Sequence, residues 1–466
     1  MFIGRENELS ELERLYATDQ FQMPVIYGRR RVGKSTLIRQ FVRDKKAVVF
    51  TAAESTIEKN LQLFSQSIYA ALLPQMKTLP AFGSFEAAFD FLAEQSGAER
   101  LVVVIDEYPY LAMADRSISS RLQNYIDNQF GMGKMFLILC GSSMSFMENQ
   151  VLGYQSPLYG RRTAQFKIMP FDYRTSALFV PSYNLEDKAL VYAVTGGVPK
   201  YLELFDAGLS VHDNITRLFF NDSGYLYEEP SNLMKQEMRD AANYNAVVEA
   251  LACGANRISE LSGKTRLSAE TITYCLKALV SLGIVRKESA MTEENNKKKT
   301  HYVVSDGMFC FWYRFVPGGS EMILLKQGKQ YFEEVVKPQL SDFMGRVFED
   351  MCRNFVMCMG DGNSLPFPVM RTGRWWGNNP ALHREEEIDL VAVNPPQKKM
   401  LIGECKYQKK KVSLETARLL MERGNLISRD FHKVYALFSR SGFESDVEKL
   451  AKSQRILLFT LEDLYL

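Results

Sequence analysis

The sequence predicts an α/β multidomain protein. It has a parallel sheet with helices at the amino end, a helical lid, a winged-helix-like block and a second α/β domain at the carboxy end. Three observations carry this. Between residues 23 and 205 short apolar runs alternate with helical patterns, the mark of right-handed βαβ units. Between Asn245 and Asp306 the pattern changes to three close-set helices followed by two short strands. After a break at Pro317-Gly318-Gly319, strand and helix signals alternate again. At 466 residues the chain has room for about three domains.

In order, residues 1–183 form the first domain, with strands read at Val25 to Tyr27, Ala47 to Thr51, Leu101 to Ile105 and Phe136 to Cys140, and a helix from Ser35 to Val42. Residues 184–240 lose the strand signal and read as the lid, through helices such as Lys188 to Val194 and Lys200 to Phe205. Residues 241–316 are the winged-helix block, with helices at Ala246 to Cys253, Ile258 to Thr265 and Ser268 to Leu282. Thr271, Tyr274, Cys275 and Leu279 are expected to share one face of the third helix. Strands Gly283 to Ser289 and Thr300 to Val304 flank a polar hairpin tip, Glu293 to Lys299. Residues 317–466 begin with a helix near Ser341 to Met357. Strands follow near Ile388 to Val393 and Met400 to Tyr407, then a helix near Leu414 to Arg423, then strands at Lys433 to Phe438 and Ile456 to Thr460.

The composition, 46% hydrophobic and 24% charged, excludes fibrous, low-complexity and broadly disordered classes. With 57 Lys and Arg against 55 Asp and Glu, affinity for nucleic acid has to come from local patches. Seven scattered cysteines without a Cys-x-x-Cys pair argue against a disulfide framework and a zinc site, and for a reduced compartment. No leader segment and no membrane-length apolar run is visible, so the expected location is cytoplasmic, with no membrane partner.

Gly28-Arg29-Arg30-Arg31-Val32-Gly33-Lys34-Ser35 matches G-x-x-x-x-G-K-[ST], follows an apolar strand and opens a helix that continues through Thr36. The residue types follow from the chemistry of a triphosphate. Glycines let backbone N–H groups converge on phosphate oxygens, Lys34 reaches the β/γ oxygens, and the Ser35 hydroxyl can ligate Mg²⁺. Arg29, Arg30 and Arg31 face either a partner or solvent, and are read as solvated. The apolar run Leu101 to Ile105 ends in Asp106-Glu107, which supplies a carboxylate for the Mg²⁺ shell and a neighbouring base to polarise water. The expected cofactors are therefore ATP and Mg²⁺.

Together these residues resemble the AAA+/STAND class of archaeal and bacterial P-loop ATPases, over about residues 1 to 240. Phe2-Ile3-Gly4-Arg5-Glu6-Asn7-Glu8-Leu9 resembles the opening F-x-G-R-E-x-E-L box, which the resemblance places near adenine. The strand ending in Cys140-Gly141-Ser142-Ser143 sits where a polar sensor is implied, by either Ser142 or Ser143. Arg161 or Arg162 matches the arginine implied to sense the γ-phosphate, and Gly196-Gly197-Val198-Pro199 resembles the G-x-P motif of the lid. A homo-oligomer is a possible consequence of this resemblance.

Residues 257 to 301 hold nine Lys or Arg against five Glu. A DNA-binding reading puts Ser268 to Lys277 in the major groove and Lys297 to Lys299 of the wing along phosphates. The alternative is a packing module with a solvated tip.

In the last domain Glu349 falls on a helix, Asp389 on one strand and Glu404-Cys405-Lys406 on the next. Glu404 and Lys406 share a face because side chains alternate along a strand. The set resembles the PD-(D/E)xK restriction-endonuclease-like superfamily. That resemblance implies a metal held by Glu349, Asp389 and Glu404, with Lys406 acting on the attacking water. The sequence thus supports an ATP-hydrolysing switch, with Glu107 and Lys406 as catalytic residues, coupled to binding and metal-dependent cleavage of DNA. The alternative is a nucleotide-gated regulator that binds DNA or protein and whose nuclease fold is inactive.

Overall fold

The computed structural model describes residues 2–76, 79–238, 240–293, 300–359, 365–428 and 430–466. The chain divides into two compact units, Met1–Phe171 with Val198–Lys200, and Asp172–Gly197 with Tyr201–Leu466. No helix among the described residues is long and apolar enough to cross a membrane.

The first unit is a five-stranded sheet of β1 (Pro24–Tyr27), β2 (Ala47–Thr51), β3 (Val102–Asp106), β4 (Phe136–Gly141) and β5 (Ala164–Lys167), in the order β2-β3-β4-β1-β5. Every pairing is parallel. The central strands β1, β3 and β4 are buried at every position, because helices cover both faces of a parallel sheet. Alternation then splits each strand between two cores. Val103, Ile105 and Leu139 pack with Phe64 and Phe89 on one side. Val104, Ile138 and Cys140 pack with Leu12, Leu37 and Phe41 on the other. Side chains of this size contribute about 1.5–3 kcal/mol each when fully buried, so the layers fix the strand register. The edge strand β5 buries only Phe166 of its four residues, and its sequence shows no apolar run.

The second unit opens with helices Tyr173–Ala177 and Leu185–Thr195, the latter capped by Asn184, whose side chain accepts from the N–H of Asp187. Helices Ala241–Ala252, Ile258–Thr265 and Ala269–Ser281 follow, with an antiparallel hairpin of β6 (Val285–Ser289) and β7 (Thr300–Val304). The hairpin tip with Lys297, Lys298 and Lys299 lies outside the described residues. The face expected on the third helix is corrected by one step. Its buried stripe is Ile272, Cys275, Leu276 and Leu279, while Tyr274 is 69% exposed, because residues 274 and 275 stand about 100° apart on the helix.

Helix Leu340–Met359 leads into a second five-stranded sheet: β8 (Arg371–Asn379), β9 (Arg384–Asn394), β10 (Lys399–Lys406), β11 (His432–Ser439) and β12 (Leu457–Thr460), in chain order across the sheet. β8, β9 and β10 are antiparallel neighbours, whereas β10, β11 and β12 run parallel through the crossover helices Leu414–Gly424 and Ser445–Gln454. The carboxy-terminal helix Leu461–Tyr465 is tied to the first helix of this unit, since the Tyr173 hydroxyl and Arg174 Nε donate to the Leu464 carbonyl at 2.7 and 2.8 Å. Arg440 also grips the Glu186 carboxylate with two donors, Nε at 2.6 Å. The helical segment expected as a lid is thus packed into the same unit as the carboxy-terminal sheet.

Candidate functional site

The chain leaves β1 at Gly28 with φ +157°, and a Cβ there would stand 2.3 Å from the Ile168 carbonyl oxygen, so only glycine lets the loop turn this close to the chain after β5. The loop closes at Gly33, φ +92°, and helix Lys34–Val42 begins. Val32 is fully buried and anchors the loop from below. Ser35 and Thr36 are exposed on the first turn, where the helix offers free N–H groups. Lys34 is only 6% exposed, and its ammonium donates to the carbonyls of Gly28 at 2.8 Å and Arg29 at 3.0 Å. The ammonium is therefore held by neutral groups.

The acids are held the same way. Asp106, at the end of β3, accepts from Ser35 Oγ on Oδ2 at 3.1 Å and from the Glu107 N–H on Oδ1 at 2.9 Å. Glu107 sits at φ +50°, a left-handed conformation unusual for a side-chain-bearing residue, which turns its carboxylate back over β4. There Glu107 Oε2 accepts from the Ser142 N–H at 3.1 Å and the Ser142 hydroxyl at 2.7 Å. Ser143 reaches neither acid by any side-chain hydrogen bond, so the structure brings Ser142 to Glu107. No lysine or arginine pairs with Asp106 or Glu107 among the described residues. Hydroxyl and carboxylate oxygens side by side form a hard donor set that suits Mg²⁺.

The expectation of solvated loop arginines is corrected. Arg29, Arg30 and Arg31 are half-buried, and Arg30 Nη2 donates to the Tyr110 hydroxyl at 2.7 Å. Arg5 braces the loop by donating to the Val32 carbonyl at 3.2 Å and to the Met169 carbonyl, with its guanidinium 4.3 Å over the Phe171 ring. Pro199 lies against the loop, its Cγ 3.7 Å from where a Cβ on Gly33 would stand. Arg161 grips Asp127 through two donors, at 2.7 and 2.6 Å, and also binds the Pro157 carbonyl. Arg162 donates to the Leu152 carbonyl at 3.2 Å. Neither arginine makes a hydrogen bond to Asp106 or Glu107.

In the second unit, helix Leu340–Met359 supplies Glu349, β9 supplies Asp389 and β10 supplies Glu404 and Lys406. The β9–β10 register, Leu390 opposite Gly403, brings Asp389 alongside Glu404, and Asp389 Oδ2 accepts from the Cys405 N–H at 2.9 Å. Lys406 Nζ meets Glu404 Oε1 at 2.6 Å. Burial, then the Asp389 charge, pushes Glu349 up to about 7 and Glu404 above the usual carboxylate range. The register sets Asp389 beside the Glu404–Lys406 pair, and the helix that carries Glu349 packs on β9 and β10. Cations of the same chain already meet the acids: Arg374 and Arg353 lie 3.4 and 3.7 Å from Glu349, and Arg423 lies 3.5 Å from Glu404. Arg353 is legible in the sequence as the i+4 partner of Glu349, but Arg374 and Arg423 come from other elements and carry no local signal. Among the described residues no group of three or more His, Cys, Asp or Glu is arranged to hold a metal ion.

Residues 2–205 match a family model described as an ATPase domain predominantly from Archaea. Residues 312–418 match a family of archaeal and bacterial proteins of unknown function. An uncharacterized protein of Methanocaldococcus jannaschii, MJECL04, is 30% identical over 466 residues, 99% of this chain and 100% of that one. The chain belongs to the MJECL04 family. In this family member the amino-terminal domain is an ATPase domain with a nucleotide-binding loop. An uncharacterized ATP-binding protein of the same organism, MJ0423, is 46% identical over 46 residues, 10% of this chain and 78% of its own length. The Walker-type ATPase PABY2304 of Pyrococcus abyssi superposes with a TM-score of 0.51 at 20% identity, covering 67% of this chain and 96% of that one, a likeness of fold.

Proposed function

We propose that the chain is an ATP-hydrolysing switch whose carboxy-terminal domain binds nucleic acid. One observation carries the nucleotide half. Lys34, Asp106 and Glu107 are each held by neutral donors or acceptors, so one positive and two negative charges stand ready for a triphosphate and its metal. Ser35 and Asp106 would hold Mg²⁺, which would supply charge neutralisation for phosphoryl transfer. Lys34 would move from the loop carbonyls to phosphate oxygens, and Glu107, oriented by Ser142, would take a proton from the attacking water. Calorimetric titration of the full-length protein with ATP and Mg²⁺ tests this: binding to the wild type and none to Lys34→Ala is the expected result. Heat with neither removes the reading.

Three helices and a hairpin in series support a winged-helix module at residues 241–316, but the described part of its hairpin is engaged inside the chain. Arg286 on β6 makes a two-donor pair with Asp350, the Met291 N–H donates to the Arg374 carbonyl at 2.8 Å, and His301 stacks on Trp376 at 4.2 Å. Burial alone would raise Asp350, yet Arg353 and Arg286 hold it at about 2. Lys409, Lys410 and Lys411 differ, being exposed just beyond Lys406 with no ion pair among the described residues. That unpaired rim supports phosphate contact by the carboxy-terminal domain.

The strand order and the placement of Asp389, Glu404 and Lys406 support a restriction-endonuclease-like fold for residues 317–466. The arginine partners of Glu349 and Glu404 favour the regulator reading over cleavage, because acids already neutralised by their own chain attract a metal weakly. Plasmid nicking with Mg²⁺ or Mn²⁺ decides between them. Band shifts without nicking support the regulator, and nicking lost in Lys406→Ala supports a nuclease.

A further inference from the structure

We propose that Arg30 is a catalytic residue of the nucleotide site, its guanidinium binding the terminal phosphate of ATP, and that the Tyr110 hydroxyl positions it for this. The inference rests on the ATP reading above and concerns a side chain that the motif G-x-x-x-x-G-K-[ST] leaves unspecified. The carbonyls of Gly28 and Arg29, directly before Arg30, carry the Lys34 ammonium at 2.8 and 3.0 Å, so Arg30 follows the stretch where the loop meets its lysine. From there Arg30 Nη2 donates to the Tyr110 hydroxyl at 2.7 Å. Tyr110 lies in the first turn of helix Tyr108–Ala114, whose N-cap is Glu107, and its N–H donates to the Glu107 carbonyl at 3.0 Å. Arg30 therefore ties the loop to the helix that begins at the proposed base, the side on which the attacking water and the terminal phosphate have to meet.

In the hydrolysis the water oxygen bonds to the terminal phosphorus, the water proton passes to Glu107, and the bridging P–O bond breaks with its electron pair leaving on ADP. An arginine on the transferring group stabilises the charge spread over its oxygens. Of the two arginines expected to supply that charge, Arg161 is paired with Asp127 and Arg162 with the Leu152 carbonyl. Arg30 comes from the loop itself. The guanidinium fork matches two oxygens of one phosphate, and a hydroxyl partner orients such a fork without cancelling its charge. ADP offers no terminal phosphate to this side chain, so the same contact makes the site prefer the triphosphate.

Calorimetric titration of the full-length protein in Mg²⁺ with ADP and with the β,γ-imido analogue of ATP, alongside phosphate release from ATP, tests the role. The wild type is expected to bind the analogue more tightly than ADP. Arg30→Gln is expected to reduce that preference about 10- to 100-fold, with ADP affinity little changed, and to slow turnover about 10³-fold. Arg30→Met, which keeps the apolar stem, is expected to match it and stands in for it if glutamine disturbs the loop. Arg30→Lys restores the charge without the fork and is expected to recover part of the loss. Tyr110→Phe keeps the ring and removes the hydroxyl, and is expected to lower kcat about 10- to 100-fold with KM within about twofold of the wild type. A preference in the glutamine and methionine variants equal to the wild type overturns the proposal, as does an equal loss toward both ligands, which a merely bracing role would give. Wild-type kcat in Tyr110→Phe overturns the positioning by Tyr110. Wild-type protein that binds both ligands equally overturns the role of Arg30 alone, whereas wild-type protein that binds neither overturns the nucleotide reading, and the role of Arg30 with it.

Discussion

The phosphate-loop site and the carboxy-terminal acid cluster both gather charged side chains at the ends of buried strands, but on opposite plans. Around the loop, each charge rests on neutral groups: Lys34 on two carbonyls, Asp106 on a hydroxyl and an amide, Glu107 on Ser142. Around Glu349 and Glu404 each charge rests on an opposite charge, from Arg353, Arg374, Arg423 and Lys406. Neutral partners orient a group without using up its field, so the first arrangement leaves attraction for an ion from solution. Ionic partners consume it, and removing one of them strands a buried charge. The first site is therefore expected to be chemically sensitive and structurally tolerant, and the second the reverse.

The sharpest break is chemical. Glu107→Gln keeps the hydrogen bonds to Ser142 and removes the base, so ATP turnover should fall about 10²- to 10⁴-fold with binding retained, measured by phosphate release and calorimetry. Next, Lys34→Ala should weaken ATP binding about 100-fold or more, since charge-assisted hydrogen bonds are worth about 1.5–3 kcal/mol each. Neither change should move the thermal midpoint by more than a few degrees, because each alters contacts to neutral groups and leaves no buried charge without its counter-ion. A large drop in stability for both would erase the contrast.

The second plan predicts the converse. Arg423 Nε pairs with Glu386 at 2.8 Å, and Glu386 is 3% exposed, so Arg423→Ala leaves one buried acid short of a partner and weakens a second, Glu404. The expected loss is about 3–5 kcal/mol in urea unfolding, with ATP binding untouched. Glu349 adds a smaller, pH-dependent effect. Its carboxyl is raised from 4.5 to about 7 in the folded chain, so between those values the folded state holds a proton that the unfolded state has released. Stability then falls as pH rises through that window, by at most about 1.4 kcal/mol per unit, and is level on either side. Unfolding midpoints from pH 4.5 to 8 should show this slope in the wild type and a flatter one in Glu349→Gln.

Legibility in the sequence followed the same divide. The loop, Asp106 and Glu107 were readable because phosphate binding needs fixed spacing along a short stretch of chain, and the central strands because full burial demands continuous apolar runs. Strand β8, Arg371–Asn379, was not, since an edge strand rich in Gly, Asn and Arg takes its conformation from pairing with β9. That Glu404 and Lys406 share a face could be read from alternation. The neutralisation of Glu349 by Arg374 and of Glu404 by Arg423 could not, because those partners come from β8 and from helix Leu414–Gly424, positions set only by the folded sheet.

The smallest expected effect concerns the basic groups around the second site. Arg257 and Arg286, in the block read as DNA-binding, are paired with Glu385 and with Asp350. Lys409, Lys410 and Lys411 are unpaired among the described residues. A phosphate contact made by an unpaired lysine releases a counterion, whereas an arginine already in an ion pair must first break that pair. Replacing all three lysines by alanine should therefore lower the salt slope of nucleic-acid band shifts by about 2 to 3, while Arg257→Ala should leave it within about 0.5 of the wild type. The opposite ranking would place the nucleic-acid surface on the three-helix block and return the rim lysines to ordinary solvation.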